Sequence, residues 1–149
     1  VKILLATVGA KRAGKSPAAA LTLDYIERAT RYADVSLRAF ADEAALLDFV
    51  ARSAARTRPM LWLAESRGDL VTSEELAASL RTAIDAGTQL AVLAIGPPDG
   101  WSAAALARAD RKLSFGRITL PHELAAAVLA EQTYRALTIH AGHPYHAGH

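Results

Sequence analysis

Apolar positions along this chain fall into two kinds of run. Lys2 to Gly9 (KILLATVG) and Leu90 to Ile95 (LAVLAI) are nearly unbroken apolar stretches, and each reads as a buried strand. Met60 to Ala64 is a third, very short strand, followed by a turn at Ser66-Arg67-Gly68. Asp34 to Phe40 alternates and predicts another strand, and Lys112 to Phe115 a fifth. Between these runs the spacing becomes helical. Leu23, Ile26, Ala29 and Ala33 recur over a helix predicted from Pro17 to Tyr32. Leu46, Phe49 and Val50 follow a capping Asp42. Leu76, Leu80, Ala83 and Ile84 follow the capping box Thr72-Ser73-Glu74-Glu75 and stop at Gly87. Ser102 caps a short Ala-rich helix that runs to about Ala109.

The last helix is different. Pro121 suits its first residue, where a missing N–H costs nothing. From there to about Ala141, Leu124, Val128, Leu129, Leu137 and Ile139 spread around the circumference. A helix apolar on several sides is buried on several sides. That favours a helix packed on its own sheet and against a second copy of the chain, and a two-fold dimer is the commonest such assembly. Strands that alternate with helices, and are continuously apolar, predict an α/β fold with a parallel sheet covered on both faces. No internal repeat or linker interrupts the pattern, so residues 1–149 read as a single domain.

Composition narrows the chemistry. Without cysteine there is no disulfide, zinc thiolate or thiol nucleophile, which fits a reducing compartment. No apolar run reaches the ~18 residues of a membrane span, and the opening VKILLATVGAKRAG reads as a strand rather than a signal peptide. The net charge of +2 permits a nucleic-acid partner without demanding one. The placement of charge says more. Lys11, Arg12 and Lys15 share one loop, and Arg108, Arg111, Lys112 and Arg117 gather before the last helix.

Ligands of open parallel sheets bind beyond the carboxyl ends of the strands. Those ends here carry Ala64-Glu65-Ser66-Arg67-Gly68, Gly96-Pro97-Pro98-Asp99-Gly100 and Phe115-Gly116-Arg117, three glycine-containing loops. There is no G-x-G-x-x-G, no P-loop and no G-x-S-x-G, so the common nucleotide and hydrolase fingerprints are missing. His140, His143, His146 and His149 recur every third residue, but Gly142, Pro144 and Gly148 break any helix that would align their rings. A solvated or partly docked tail is the better reading than a metal site.

Several short motifs, in order and at matching separations, carry a more specific signal. They are VKILLATVGAK at the start, Arg67-Gly68 followed by Ser73-Glu74-Glu75-Leu76-Ala77, and Ile95-Gly96-Pro97-Pro98-Asp99-Gly100. Then come Leu113-Ser114-Phe115, Thr119-Leu120-Pro121-His122, Glu131-Gln132, Tyr134-Arg135-Ala136 and Gly142-His143-Pro144-Tyr145-His146. Over nearly its whole length the chain resembles the ribosomal large subunit methyltransferase H family, small members of the SPOUT, or α/β-knot, methyltransferases.

The resemblance implies a parallel sheet with a C-terminal trefoil knot, a rare exception to unknotted topology. It implies a cytoplasmic homodimer that uses S-adenosylmethionine to methylate N3 of a pseudouridine in helix 69 of 23S rRNA, on the large subunit or the assembled ribosome. The methyl-donor contacts of the family map onto Ala64, Gly96, Gly100, Phe115, Gly116, Arg117, Ile118, Thr119 and Leu120. Its catalytic tip maps onto Tyr145 and His146, with a neutral His146 taking the N3 proton and Tyr145 orienting the base. His122 reads as structural, holding the knot. A sulfonium donor suits backbone carbonyls and hydroxyls, which explains a nucleotide-type fold without a phosphate motif.

The sequence departs from the family at four positions. Pro97 replaces a glycine, Ala64 a leucine, Ala126 an arginine, and Ala147 a basic residue. Losing two cations implies weaker RNA binding with a shallower salt dependence. The alternative is a diverged, weakly active or inactive paralogue that serves as an RNA- or ribosome-binding dimer.

Overall fold

The computed structural model describes residues 1–9 and 15–147, with His146 described in its backbone alone. Lys11, Arg12 and His149 lie outside the described residues. Five strands and five helices alternate: β1 (Lys2–Val8), α1 (Pro17–Ala29), β2 (Asp34–Phe40), α2 (Glu43–Arg52), β3 (Met60–Leu70), α3 (Ser73–Asp85), β4 (Leu90–Ile95), α4 (Ala103–Arg108), β5 (Arg111–Ser114) and α5 (His122–His140). A 3₁₀ turn, Pro144–His146, follows.

All pairings are parallel and the strand order is β2-β1-β4-β3-β5. Alternate residues of each strand serve opposite faces. Ile3, Leu5, Trp62, Leu93 and Leu113 join one core with α1, α3 and α5, whereas Leu4, Ala6, Leu61, Leu63 and Val92 join the other with α2 and α4. Each fully buried leucine or isoleucine contributes about 2 kcal/mol by leaving water. Helices α1 and α3 cross the sheet in one direction on one face, while α2 and α4 cross in the other direction on the opposite face. The four crossovers therefore share one hand, as the twist of parallel strands requires.

The elements end close to where the hydropathy pattern places them, with three instructive differences. Helix α1 stops at Ala29 rather than Tyr32, because the Thr30 hydroxyl turns back to the Glu27 carbonyl at 2.6 Å. Pro121 occupies the cap position of α5 rather than its first turn; its ψ of 149° is extended and its carbonyl takes the first helical bond, from Ala125. The largest difference is β3. The turn expected at Ser66-Arg67-Gly68 is instead an excursion within a strand of 11 residues. Ala64 and Asp69 both pair with Leu113 of β5, so the chain bulges out and returns to the same partner. The return brings backbone onto backbone: a Cβ on Gly68 would lie 2.6 Å from the Lys112 carbonyl carbon.

Strand β5 is held at its start by Asp110. Its carboxylate accepts from the Leu61 N–H at 2.8 Å, its own N–H donates to the Leu61 carbonyl at 2.8 Å, and it pairs with Arg58. Arg108 donates to the Pro59 carbonyl at 2.9 Å, and Arg111 reaches Ser79 at 2.5 Å and lies over Trp62. Two of the four basic residues expected as a surface cluster are thus engaged in holding the edge strand. Lys112 and Arg117 remain exposed.

Helix α5 lies against α1 and α3 on the sheet. Small residues Ala125, Ala126, Ala127, Ala130 and Ala136 let it approach closely, and Leu129, Tyr134 and Leu137 fill the remaining space. Thr133 and Thr138 are buried but return their hydroxyls to carbonyls of their own helix. Among the described residues no helix is long and apolar enough to cross a membrane.

Candidate functional site

A cavity of about 270 Å³ opens where β4 and β5 end and where β3 leaves the sheet at its excursion. Its walls are built largely from backbone and small or apolar side chains. Ala64 and Glu65 come from β3, and Gly96, Pro97, Pro98 and Gly100 from the loop after β4. Phe115, Gly116, Ile118, Thr119 and Leu120 come from the loop after β5. The sequence-derived donor residues Ala64, Gly96, Gly100, Phe115, Gly116, Ile118, Thr119 and Leu120 therefore surround one space. Arg117 sits on the same loop but is exposed and does not line it.

Each loop has a local reason for its shape. Gly100 at φ +84° closes a turn in which its N–H donates to the Pro97 carbonyl at 2.9 Å. Ser114 folds its hydroxyl onto Gly116, donating to the carbonyl at 2.9 Å and accepting the N–H at 3.2 Å, and Gly116 takes φ +112°. Pro97 packs against the end of β1, where a Cβ on Gly9 would come 3.3 Å from the Pro97 Cβ.

Trp101 joins the loops, and its importance was not apparent from sequence. Its indole N–H donates to the Ala64 carbonyl at 2.8 Å, tying the loop after β4 to the start of the β3 excursion. Its ring lies so near Gly96 that a Cβ there would stand 2.7 Å from Cε2. A side chain at Gly96 would therefore have to push the ring aside. A large aromatic directly after a glycine loop was the available signal.

Among the described residues two ionisable side chains line the cavity, Glu65 and His122. His122 Nε2 lies 3.1 Å from the Val8 carbonyl, so that nitrogen carries the proton. The contact fastens the start of α5 to the end of β1, and His122 serves as a structural tie. Among the described residues no cluster of three or more metal-ligating groups forms. His140 instead approaches the Ala77 carbonyl at 2.7 Å, linking α5 to α3, and His143 Nδ1 accepts the Tyr145 N–H at 3.1 Å.

Tyr145 does not line this cavity. It docks on the middle of its own α5, with its ring edge-on to Tyr134 at 4.7 Å and the Arg135 guanidinium 5.0 Å over its face. Its hydroxyl donates to Glu131 at 3.1 Å. Burial, a hydrogen bond with Tyr25 and the Glu131 charge all push its ionisation well above the ordinary tyrosine range. Glu131 lies nine residues beyond His122, about 14 Å along a helix axis. The His146 backbone continues the same 3₁₀ turn, and its side chain lies outside the described residues. Of the positions where the chain lacks a family cation, Ala126 is buried in the core and Ala147 is exposed.

Residues 1–146 match the family described as predicted SPOUT methyltransferase. The chain is 48% identical over 129 residues to the ribosomal RNA large subunit methyltransferase H of Koribacter versatilis, covering 87% of this chain and 88% of that protein. It is 38% identical over 161 residues to the protein of that name from Methylocella silvestris, covering 98% and 99%. Two solved structures share its fold. One is a probable methylase family protein from Haemophilus influenzae, with TM-score 0.57, 10% identity and coverage of 98% and 70%. The other is the SpoU methyltransferase AviRb from Streptomyces viridochromogenes in complex with the cofactor AdoMet, with TM-score 0.54, 16% identity and coverage of 95% and 59%.

Proposed function

The chain belongs to the SPOUT methyltransferase family, and on that premise we propose that it methylates N3 of a pseudouridine in helix 69 of 23S rRNA. It does so as a single-domain homodimer, using S-adenosylmethionine, on the large ribosomal subunit or the assembled ribosome. The observation that carries this reading is the cavity at the carboxyl ends of β4 and β5 and the excursion of β3.

The residues present fit such a donor. The cavity offers apolar walls at Leu113, Phe115 and Leu120 for a purine, and among the described residues one carboxylate, Glu65, to favour a positive charge. Gly100 and Gly116 leave open space on the loops, and Gly96 lets the Trp101 ring lie flat against the end of β4. When bound, the donor supplies an electrophilic methyl on a sulfonium. The chain supplies position. Ser114 and Gly116 set the loop over the cavity, Trp101 keeps Ala64 and Gly96 at fixed separation, and His122 seats α5. Holding the reactants in line accounts for much of such a rate. His146 takes the N3 proton, and Tyr145, kept neutral by its surroundings, orients the base by hydrogen bonding.

Tyr145 docks away from its own cavity, so this reading has the tail serve the site of the second subunit. Exposed apolar side chains support that assembly: Leu124 on α5, Leu70 at the end of β3 and Ile118 on the cavity loop. A second cavity of about 300 Å³ is bordered by Leu70, Val128 and Gln132, next to the exposed end of β3. Ala147 gives up a surface cation beside the phosphate-bearing substrate, and weaker, less salt-dependent RNA binding follows.

Two measurements test the function. Calorimetry should show the purified chain binding S-adenosylmethionine. Mass spectrometry of rRNA from cells lacking the gene should show the loss of one methylpseudouridine. Normal modification in those cells would remove the reading, and a chain that binds ribosomes without binding the donor would be the RNA-binding paralogue.

A further inference from the structure

A polar network runs along the flank of α5, and every member of it has a partner. Glu131 is its hub. One carboxylate oxygen accepts from Arg135 Nε at 2.9 Å and Nη2 at 2.6 Å, and from the Tyr145 hydroxyl at 3.1 Å. The other accepts from the Gln132 amide at 2.7 Å, and Gln132 in turn accepts the Ser73 hydroxyl at 2.6 Å. Ser73 is the first residue of α3. A single carboxylate thus connects the C-terminal turn, the middle of α5 and the entry to α3.

This differs in kind from the other helical ion pairs. Arg52–Asp48 has the same spacing, but its side chains are 80% and 58% exposed. Those of Arg135 and Glu131 are 16% and 18% exposed. Exposed pairs of this type contribute little, whereas charge-assisted bonds sheltered from water are about twice as strong as neutral ones. The Arg135 charge is correspondingly stabilised, first by its hydrogen bond to Glu131. Arg135 then lies over the Tyr145 ring, so the ion pair and the phenol grip each other. The turn itself is short, and its backbone bonds are all local: Gly142 N–H to the Ile139 carbonyl at 3.1 Å, His143 N–H to the Thr138 carbonyl at 2.9 Å, Tyr145 N–H to His143 Nδ1 at 3.1 Å and Ala147 N–H to the Pro144 carbonyl at 3.0 Å. Its placement depends on what holds the Tyr145 side chain.

We propose that Glu131 is a positioning residue: through Arg135 and the Tyr145 hydroxyl it latches the C-terminal tail onto α5, and the latched tail is the form that serves the methyl-transfer site. The catalytic half of this statement rests on the function proposed above, and the latch itself does not. Glu131→Gln keeps the shape and removes the charge. Tyr145→Phe keeps the ring and removes the hydroxyl.

The test compares the wild type, Glu131→Gln, Tyr145→Phe and the double variant. Hydrogen exchange of the backbone amides of residues 142–147 reports the latch in each protein, and thermal unfolding confirms that each is folded. Methylation of ribosomes from cells lacking the gene reports its use. Glu131→Gln should speed exchange in that segment by roughly tenfold or more, the range of one charge-assisted bond. It should lower kcat by a similar factor while leaving the KM for S-adenosylmethionine unchanged. In the double variant exchange should be no faster than in Tyr145→Phe, which gives up the Glu131 contact together with the hydroxyl's bond to Tyr25. Unchanged exchange in Glu131→Gln, or faster exchange in the double variant than in Tyr145→Phe, overturns the latch. A rise in donor KM with kcat preserved overturns its role in positioning. If the wild type methylates no ribosome, the proposed function fails, and the exchange measurement still decides the latch.

Discussion

The cavity and the tail dock sit on the same helix and are built by opposite means. Around the cavity the chain withholds side chains. Gly100, Gly116 and Ala64 leave space, and the shape comes from carbonyls, turns and the indole seated against Gly96. On the tail dock the chain concentrates them. Glu131, Arg135, Tyr134 and Tyr145 fill a small region with charge and rings. The first arrangement makes a void that can admit a ligand. The second makes a contact that is already satisfied. Both are fastened to the sheet by α5, whose His122 end binds β1 and whose His140 end binds α3.

The comparison breaks first where backbone meets backbone. Gly68→Ala places a methyl 2.6 Å from the Lys112 carbonyl carbon, and neither main chain can yield cheaply. Thermal unfolding should show a loss of about 3 kcal/mol, the upper end for overpacking, or roughly 10 °C in Tm. A variant as stable as the wild type would show that the close approach of β3 to β5 is not required. Gly96→Ala is milder for stability, because the Trp101 ring can shift, at about 1–2 kcal/mol. Its effect on the cavity should be larger, with calorimetry showing donor affinity falling roughly tenfold or more. Unaltered affinity would place the donor elsewhere.

The smallest effect is at the dock and depends on pH. The Tyr145 phenol holds its proton more tightly folded than unfolded, so its contribution is complete below its ordinary value of 10.0 and declines as pH rises toward its elevated folded value. Alkaline unfolding should therefore be shallower in Tyr145→Phe than in the wild type above pH 10. Superimposable profiles would show that the phenol is not buried as described.

Much of the architecture was legible in local pattern. Strands β2 and β4 and the capping box of α3 follow directly from it, because continuous apolar runs and cap residues act over a few positions. The excursion in β3 was not legible. Ser66-Arg67-Gly68 has the composition of a turn, and its return to β5 depends on a partner strand more than forty residues later. The cavity loops were visible as glycine punctuation. Trp101 was not, since its role needs the Ala64 carbonyl, 37 residues away, in front of its N–H. The basic cluster was legible only as charge: pairing with Asp110 and Ser79 turns Arg108 and Arg111 from surface cations into braces.

The tail shows the division most sharply. Sequence alone marked Tyr145 and His146 as chemically important and α5 as a helix with too many apolar sides for one interface. It could not say where the tail would lie, because periodicity carries no information about which distant side chain will accept a hydroxyl. Tertiary structure decided that Tyr145 is held by Glu131 on its own helix, away from its own cavity. Local sequence determines elements because their hydrogen bonds close within a few residues. The site is decided by long-range contacts, which exist only once the sheet has brought the β3 excursion and the ends of β4 and β5 together.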